Sequence, residues 1–170
     1  MKLHAIWICA VVTMLGLTAG LATSVRAQAA TTYSFNLITP NTAMAPSGDF
    51  AGDTIRVTGS GSFDSAAGTV VGSGSFTHIK ADGTVFARGT WVATDFDSFW
   101  SFGGPNGGTQ GGVLEIKVTL MPAGGSPHTG IVMTVNCLVH KPAGFTGEEG
   151  TAVDGFTERT GGETLFHIGD

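Results

Sequence analysis

Residues 55–76 read IRVTGSGSFDSAAGTVVGSGSF, in which apolar or small residues alternate with polar ones on both sides of a short loop. Alternation at every second position is typical of β-strands with one buried face, because successive side chains point to opposite faces. Residues 64–68 (DSAAG) have the composition of a hairpin loop. The sequence GSGSF occurs on both arms, at 59–63 and 72–76. The stretch therefore predicts a β-hairpin whose glycines share the inward face.

Similar alternation recurs on both sides of this hairpin. Further strands are predicted at residues 33–37, 85–93, 114–120, 131–139, 151–157 and 163–168, the last two joined by residues 159–162. Residues 97–112 (DSFWSFGGPNGGTQGG) are predicted to form a long loop, because glycine and proline interrupt the pattern.

About eight short strands at hairpin spacing predict an all-β domain built as a single antiparallel meander. A small closed or nearly closed β-barrel satisfies this pattern, because closure removes exposed strand edges. A β-sandwich is the alternative arrangement of the same strands.

The N-terminus has the three parts of a secretory signal. Lys2 supplies a basic start, residues 5–15 are apolar except for Thr13, and Ala27-Gln28-Ala29 has the small-x-small form of a cleavage site. We therefore expect residues 1–29 to be removed and residues 30–170 to form one secreted or otherwise extracytoplasmic domain. An uncleaved membrane anchor is the alternative.

Sequencing the N-terminus of the exported protein tests this interpretation. The mature chain is expected to begin at Ala30, or at Gln28 if cleavage follows Ala27 instead. Material that begins at Met1 or Lys2 would show that the segment is retained and would favour the anchor.

Composition narrows the range of partners. The chain carries 8 Lys and Arg against 13 Asp and Glu, for a net charge of -5, and signal removal takes away the basic residues Lys2 and Arg26. An acidic surface is repelled by phosphate backbones and anionic lipids, so we expect neither nucleic acid nor, after cleavage, a membrane as partner. Because Cys9 lies in the signal, Cys137 has no disulfide partner in the mature chain and is expected to be a buried, inert thiol.

The inward glycines allow two interpretations. Gly59, Gly61, Gly72 and Gly74 either permit strong curvature, with aromatic side chains such as Phe63, Phe76 and Trp91 folded over them, or leave room for a ligand. Curvature is the interpretation we favour.

Aromatic residues and one histidine are the candidate contacts for a ligand. His78 shares the inward face of Phe76, and residues 95–102, which run into the predicted loop, are the densest aromatic segment. Aromatic faces bury a large area at low entropic cost and suit apolar or ring-containing ligands. The candidate ligand-binding residues are Phe63, Phe76, His78, Trp91, Phe96, Phe99 and Trp100.

No catalytic, metal or cofactor motif stands out. Asp95 and Asp97 lack the rest of a calcium loop, the four histidines after the signal have no metal-binding spacing, and no cofactor is predicted. Three classes of function remain: a binder of a small apolar ligand, a structural or surface protein, and a small barrel cyclase or isomerase. A cavity would favour the first and third, and a buried ionisable residue inside it would favour the third. We favour a non-enzymatic binder.

Overall fold

The computed structural model describes residues 32–105 and 108–169, and the regular structure in these ranges consists of β-strands. The predicted signal peptide, residues 1–29, lies outside the described residues. The strands are β1 (Thr32–Met44), β2 (Thr54–Asp64), β3 (Thr69–Ile79), β4 (Val85–Gly103), β5 (Thr109–Pro122), β6 (His128–Cys137), β7 (Gly150–Val153), β8 (Glu158–Gly161) and β9 (Thr164–Ile168). The described part of the chain contains no helix that is long and apolar enough to cross a membrane.

All nine described strands belong to one antiparallel sheet, in which eight follow the order β4-β3-β2-β1-β9-β5-β6-β7. Because β4 also pairs with β5, the strands β1, β2, β3, β4, β5 and β9 form a hydrogen-bonded ring of six. β6 and β7 extend the sheet beyond β5, and β8 pairs with β1. The predicted all-β antiparallel meander is confirmed. All of the described strands are joined by hydrogen bonds into a single sheet.

The interior is filled by the apolar side of the alternating strands. On β5, Leu114, Ile116 and Val118 are fully buried, whereas the residues between them are half-buried. Phe35 on β1 lies opposite Phe166 on β9, and both side chains are fully buried. Burial of one such side chain stabilises the fold by about 1.5–3 kcal/mol. The core therefore lies where the predicted inward faces of the strands meet.

The predicted long loop at residues 97–112 is wrong. β4 runs to Gly103 and β5 begins at Thr109, so a short connection joins two paired strands. The β4–β5 register is irregular at three places between Ala93 and Gly103. An extra residue at a β-bulge changes which face the following side chains point to. Pairing therefore continues although the alternation in the sequence is lost.

Both ends of the described chain also differ from the predicted strands. β1 continues past residue 37 to Met44, with a register shift between Leu37 and Asn41. Near the C-terminus the predicted strand 151–157 is reduced to β7, and the predicted connection 159–162 overlaps the short strand β8. β8 pairs with the far end of β1. This contact between distant segments has no local signal in the sequence.

The glycine hairpin has the close packing expected of the curvature interpretation. A methyl group built on Gly59 or Gly74 would lie 2.5 Å from the Trp91 ring, and one built on Gly61 would lie 2.6 Å from Phe35. The indole nitrogen of Trp91 also donates a hydrogen bond to the Thr58 carbonyl at 2.9 Å. The aromatic rings over the glycines are thus Trp91, as predicted, and Phe35.

Phe63 and Phe76, also predicted to cover the glycines, pack elsewhere. The Phe63 ring stacks on Tyr33 with centroids 5.1 Å apart and meets Phe99 at 4.8 Å. Phe76 lines a cavity at one end of the sheet. The reason is register, because the glycines lie opposite each other across β2 and β3, whereas Phe63 and Phe76 lie opposite Val70 and Val57.

Candidate functional site

A cavity of about 400 Å³ lies where β2, β4 and β6 begin and β3 and β5 end. Because neighbouring strands are antiparallel, the starts of β2, β4 and β6 lie beside the ends of β3 and β5, at one end of the sheet. The lining is predominantly apolar and is completed by turns that flank β2 and β7. It consists of Phe50, Ile55, Phe76, His78, Phe86, Ala87, Leu120, Pro122, His128, Ile131, Val153, Asp154 and Phe156.

Three phenylalanine rings surround the imidazole of His78 at the cavity. The ring centroid of His78 lies 5.1 Å from Phe50, 4.8 Å from Phe86 and 5.0 Å from Phe156, all in edge-on arrangements. Phe156 is buried, whereas Phe50 and Phe86 are 45% and 55% exposed. The two exposed rings therefore form an apolar rim around a largely buried imidazole.

Asp53 fixes the orientation of the His78 ring through a hydrogen bond. The Oδ2 atom of Asp53 lies 2.7 Å from Nε2 of His78, and Oδ1 accepts a hydrogen bond from the backbone N–H of Ala81 at 2.9 Å. His78 is 8% exposed. A carboxylate that is itself fixed by a backbone donor orients the imidazole and selects its tautomer. Of the ionisable residues that line the cavity, His78 is thus the buried one, and the carboxylate of Asp53 fixes its orientation.

His128 and Asp154 are the other ionisable residues that line the cavity. Both are exposed, and one carboxylate oxygen of Asp154 already accepts a hydrogen bond from the Val132 N–H at 2.9 Å. These groups lie at the solvent side of the cavity, in contrast with His78. They are better placed to keep the opening hydrated than to bind a buried part of a ligand.

The structure brings together two of the seven predicted ligand contacts, His78 and Phe76, in this cavity. Phe63, Phe96 and Phe99 instead form a second aromatic group with Tyr33 and Phe166, in which the half-buried Phe96 and Phe99 pack against the core. Trp91 is fully buried over the hairpin glycines.

Trp100 was predicted to lie in a loop beside these aromatics, and it lies on β4 instead. It is 55% exposed and contacts Phe102 and Phe145. A bulge separates Phe96 from Ser98, so the aromatic residues of this segment do not all face the same side. The segment is divided between the core and the surface.

Sequence reasoning missed Asp53, Phe50, Phe86 and Phe156. Phe50 and Phe156 lie in turns, where no strand alternation assigns a direction to a side chain. Asp53 precedes β2 and is 25 residues from His78. Strand alternation predicted that His78 points inward. The sequence around His78 does not indicate which carboxylate forms a hydrogen bond with it.

Other surfaces are less suited to an apolar ligand. An open depression of about 430 Å³ lies on the hairpin between β1, β2 and β3, bordered mainly by Ser, Asn and Gly. Cys137 is buried as predicted, and burial raises the pKa of its thiol. In residues 32–105 and 108–169, no group of three or more His, Cys, Asp or Glu side chains is arranged to hold a metal ion.

Comparison of the chain with protein-family models, curated proteins and solved structures finds no match to any of the three. The geometry of the cavity is therefore the basis for its functional interpretation.

Proposed function

We propose that this protein is exported and binds a small, largely apolar, ring-containing ligand in the cavity that contains His78. The observation that carries the proposal is the cavity itself, about 400 Å³ in volume and lined by four phenylalanine rings. Ligand pockets in proteins are usually about 300–1,000 Å³, mostly apolar, with a few well-placed polar groups. The His78–Asp53 pair is such a polar group.

The exposed rim supports this proposal. Phe50 and Phe86 leave about half of their side chains exposed beside an apolar interior. A ligand that covers both rings would remove apolar surface from water, at roughly 25 cal/mol per Å² buried. The fixed strands around the cavity would need little reordering on binding, which limits the entropic cost. A purely structural role provides no comparable reason for the cavity.

Catalysis is a second candidate function, favoured by the Asp53–His78 pair. A carboxylate-oriented imidazole in an apolar cavity is a suitable general base for a cyclase or isomerase. Non-denaturing mass spectrometry of protein purified from its native host separates the two roles. One ligand retained through purification, seen as added mass, favours binding over turnover.

Filling the cavity should weaken binding of the neutral fluorescent probe N-phenyl-1-naphthylamine. Ala87 lies opposite His78 in the β3–β4 register and lines the cavity. Ala87→Phe should place a ring in the empty space and weaken probe affinity by at least about tenfold, equivalent to about 1.4 kcal/mol. Fluorescence titration of the wild-type and variant proteins measures the change.

Val71→Phe is the matched control, because Val71 is 67% exposed on the hairpin and does not line this cavity. It adds the same ring and should leave probe affinity unchanged. Thermal melts establish that both variants are folded. Equal affinity of both folded variants would contradict the proposal.

A further inference from the structure

We infer that the ligand carries a proton-donating group, such as a hydroxyl on its ring, and that Nδ1 of His78 accepts its hydrogen bond. This inference rests on the proposed function, because it concerns the same cavity. It adds a chemical class, an aromatic or cyclic alcohol rather than a hydrocarbon, an ether or a ketone.

Asp53 determines which nitrogen of His78 can act as acceptor. Its carboxylate can only accept, so the neutral imidazole carries its proton on Nε2, the nitrogen 2.7 Å from Oδ2. Within residues 32–105 and 108–169, Nε2 of His78 has a hydrogen-bond partner and Nδ1 has none. Nδ1 is therefore available to a ligand. In this tautomer Nδ1 has a lone pair and no proton. A neutral His78 therefore requires a donor from its ligand.

The apolar surroundings of His78 increase the contribution of such a hydrogen bond to the binding free energy. The imidazole is 8% exposed and is flanked by Phe50, Phe86 and Phe156. A ligand that covers the rim would exclude water from Nδ1, and a polar atom left without a partner in an apolar site is costly. A hydroxyl on the ligand satisfies Nδ1, whereas a methyl group in the same place does not.

The other ionisable groups of the cavity compete poorly for this hydroxyl. His128 and Asp154 are exposed, and the Asp154 carboxylate is engaged by the Val132 N–H. Water already satisfies exposed acceptors, so a ligand hydroxyl gains little by replacing it. The contribution of the hydroxyl should therefore depend on His78 and not on His128.

Two probes of similar shape separate this inference from the proposed function. 2-Methylnaphthalene tests whether the cavity takes an aromatic ring, and 2-naphthol adds a hydroxyl in place of the methyl group. The measured quantity is the ratio of their dissociation constants, determined at one mildly alkaline pH for every protein compared. Comparing this ratio between proteins cancels the different hydration of the two probes.

His78→Leu should reduce the preference for 2-naphthol by about 3- to 10-fold relative to wild type, as expected for loss of one hydrogen bond. His167→Leu, at a histidine on β9 that does not line the cavity, is the matched control and should leave the ratio unchanged. If 2-methylnaphthalene binds but His78→Leu leaves the ratio at its wild-type value, the inference is overturned and the proposed function stands. If neither probe binds the folded wild-type protein, both are overturned.

Asp53→Asn provides a second test without removing the imidazole. The Asn oxygen can retain the Ala81 N–H, so its amide N–H would donate to Nε2 and place the imidazole proton on Nδ1. The variant should therefore lose preference for 2-naphthol and gain affinity for 2-methoxynaphthalene, which can only accept. A loss of affinity for all three probes in equal proportion would indicate a merely structural role for Asp53 and would contradict the inference.

Discussion

Gly74→Ala is expected to lower the free energy of unfolding by about 3 kcal/mol, at the upper end of the usual cost of overpacking a core. A methyl group at this position would overlap the Thr58 carbonyl oxygen and lie 2.5 Å from Nε1 of Trp91. The first contact is with the backbone of a paired strand and the second is with a fully buried ring, so neither can move freely. Chemical denaturation with urea measures the change.

Gly72→Ala is the matched control on the same strand. Its added methyl group would have its nearest contacts at 3.0 Å from Phe35 and 3.2 Å from the Ser60 carbonyl, which requires a much smaller adjustment. The expected loss is about 1 kcal/mol or less. Equal stability of the Gly74 and Gly72 variants would show that the close approach of Trp91 to Gly74 does not limit packing.

These glycines show how far strand alternation can predict a fold. The pattern in residues 55–76 placed Gly59 and Gly74 on the inward face, and they are directly paired across β2 and β3. Alternation reports only which face a side chain takes, however. Which rings cover the glycines depends on the register of the flanking strands, because Phe35 on β1 lies opposite Gly61 and Trp91 on β4 lies opposite Gly74.

Closure of the ring illustrates the same limit. It depends on the pairing of Thr109 with His167 and of Gln110 with Phe166, which joins the start of β5 to β9. The two segments are more than fifty residues apart, and the first was predicted to be a loop. Strand propensity is a local property, whereas the choice of partner is made by packing of the whole domain.

The candidate site was predictable only in part, for similar reasons. The inward position of His78 followed from its spacing to Phe76, and both line the cavity. Phe50 and Phe156 approach His78 from turns, and Asp53 approaches from the residue before β2. Turns have no fixed side-chain period, so sequence alone could not show that these groups converge.

Glu149→Ala is expected to lower the free energy of unfolding by about 3 kcal/mol, because hydrogen bonds to a charged acceptor contribute about 1.5–3 kcal/mol each. The half-buried carboxylate of Glu149 accepts the Leu138 N–H at 2.6 Å and the Thr164 N–H at 2.9 Å. Glu149 thereby joins the segment after β6 to the first residue of β9, one of the ring strands. Thr164 is 3% exposed, so water cannot readily replace the lost acceptor.

Glu148→Ala separates this role from the general effect of removing an acidic residue. Glu148 is exposed, and its backbone carbonyl, which alanine retains, accepts a hydrogen bond from the Asn136 side chain. The change should alter stability by no more than about 0.5 kcal/mol, as for most surface substitutions. Urea denaturation of both variants tests the difference. If they are equally stable, the hydrogen bonds that Glu149 accepts do not hold β9 in place.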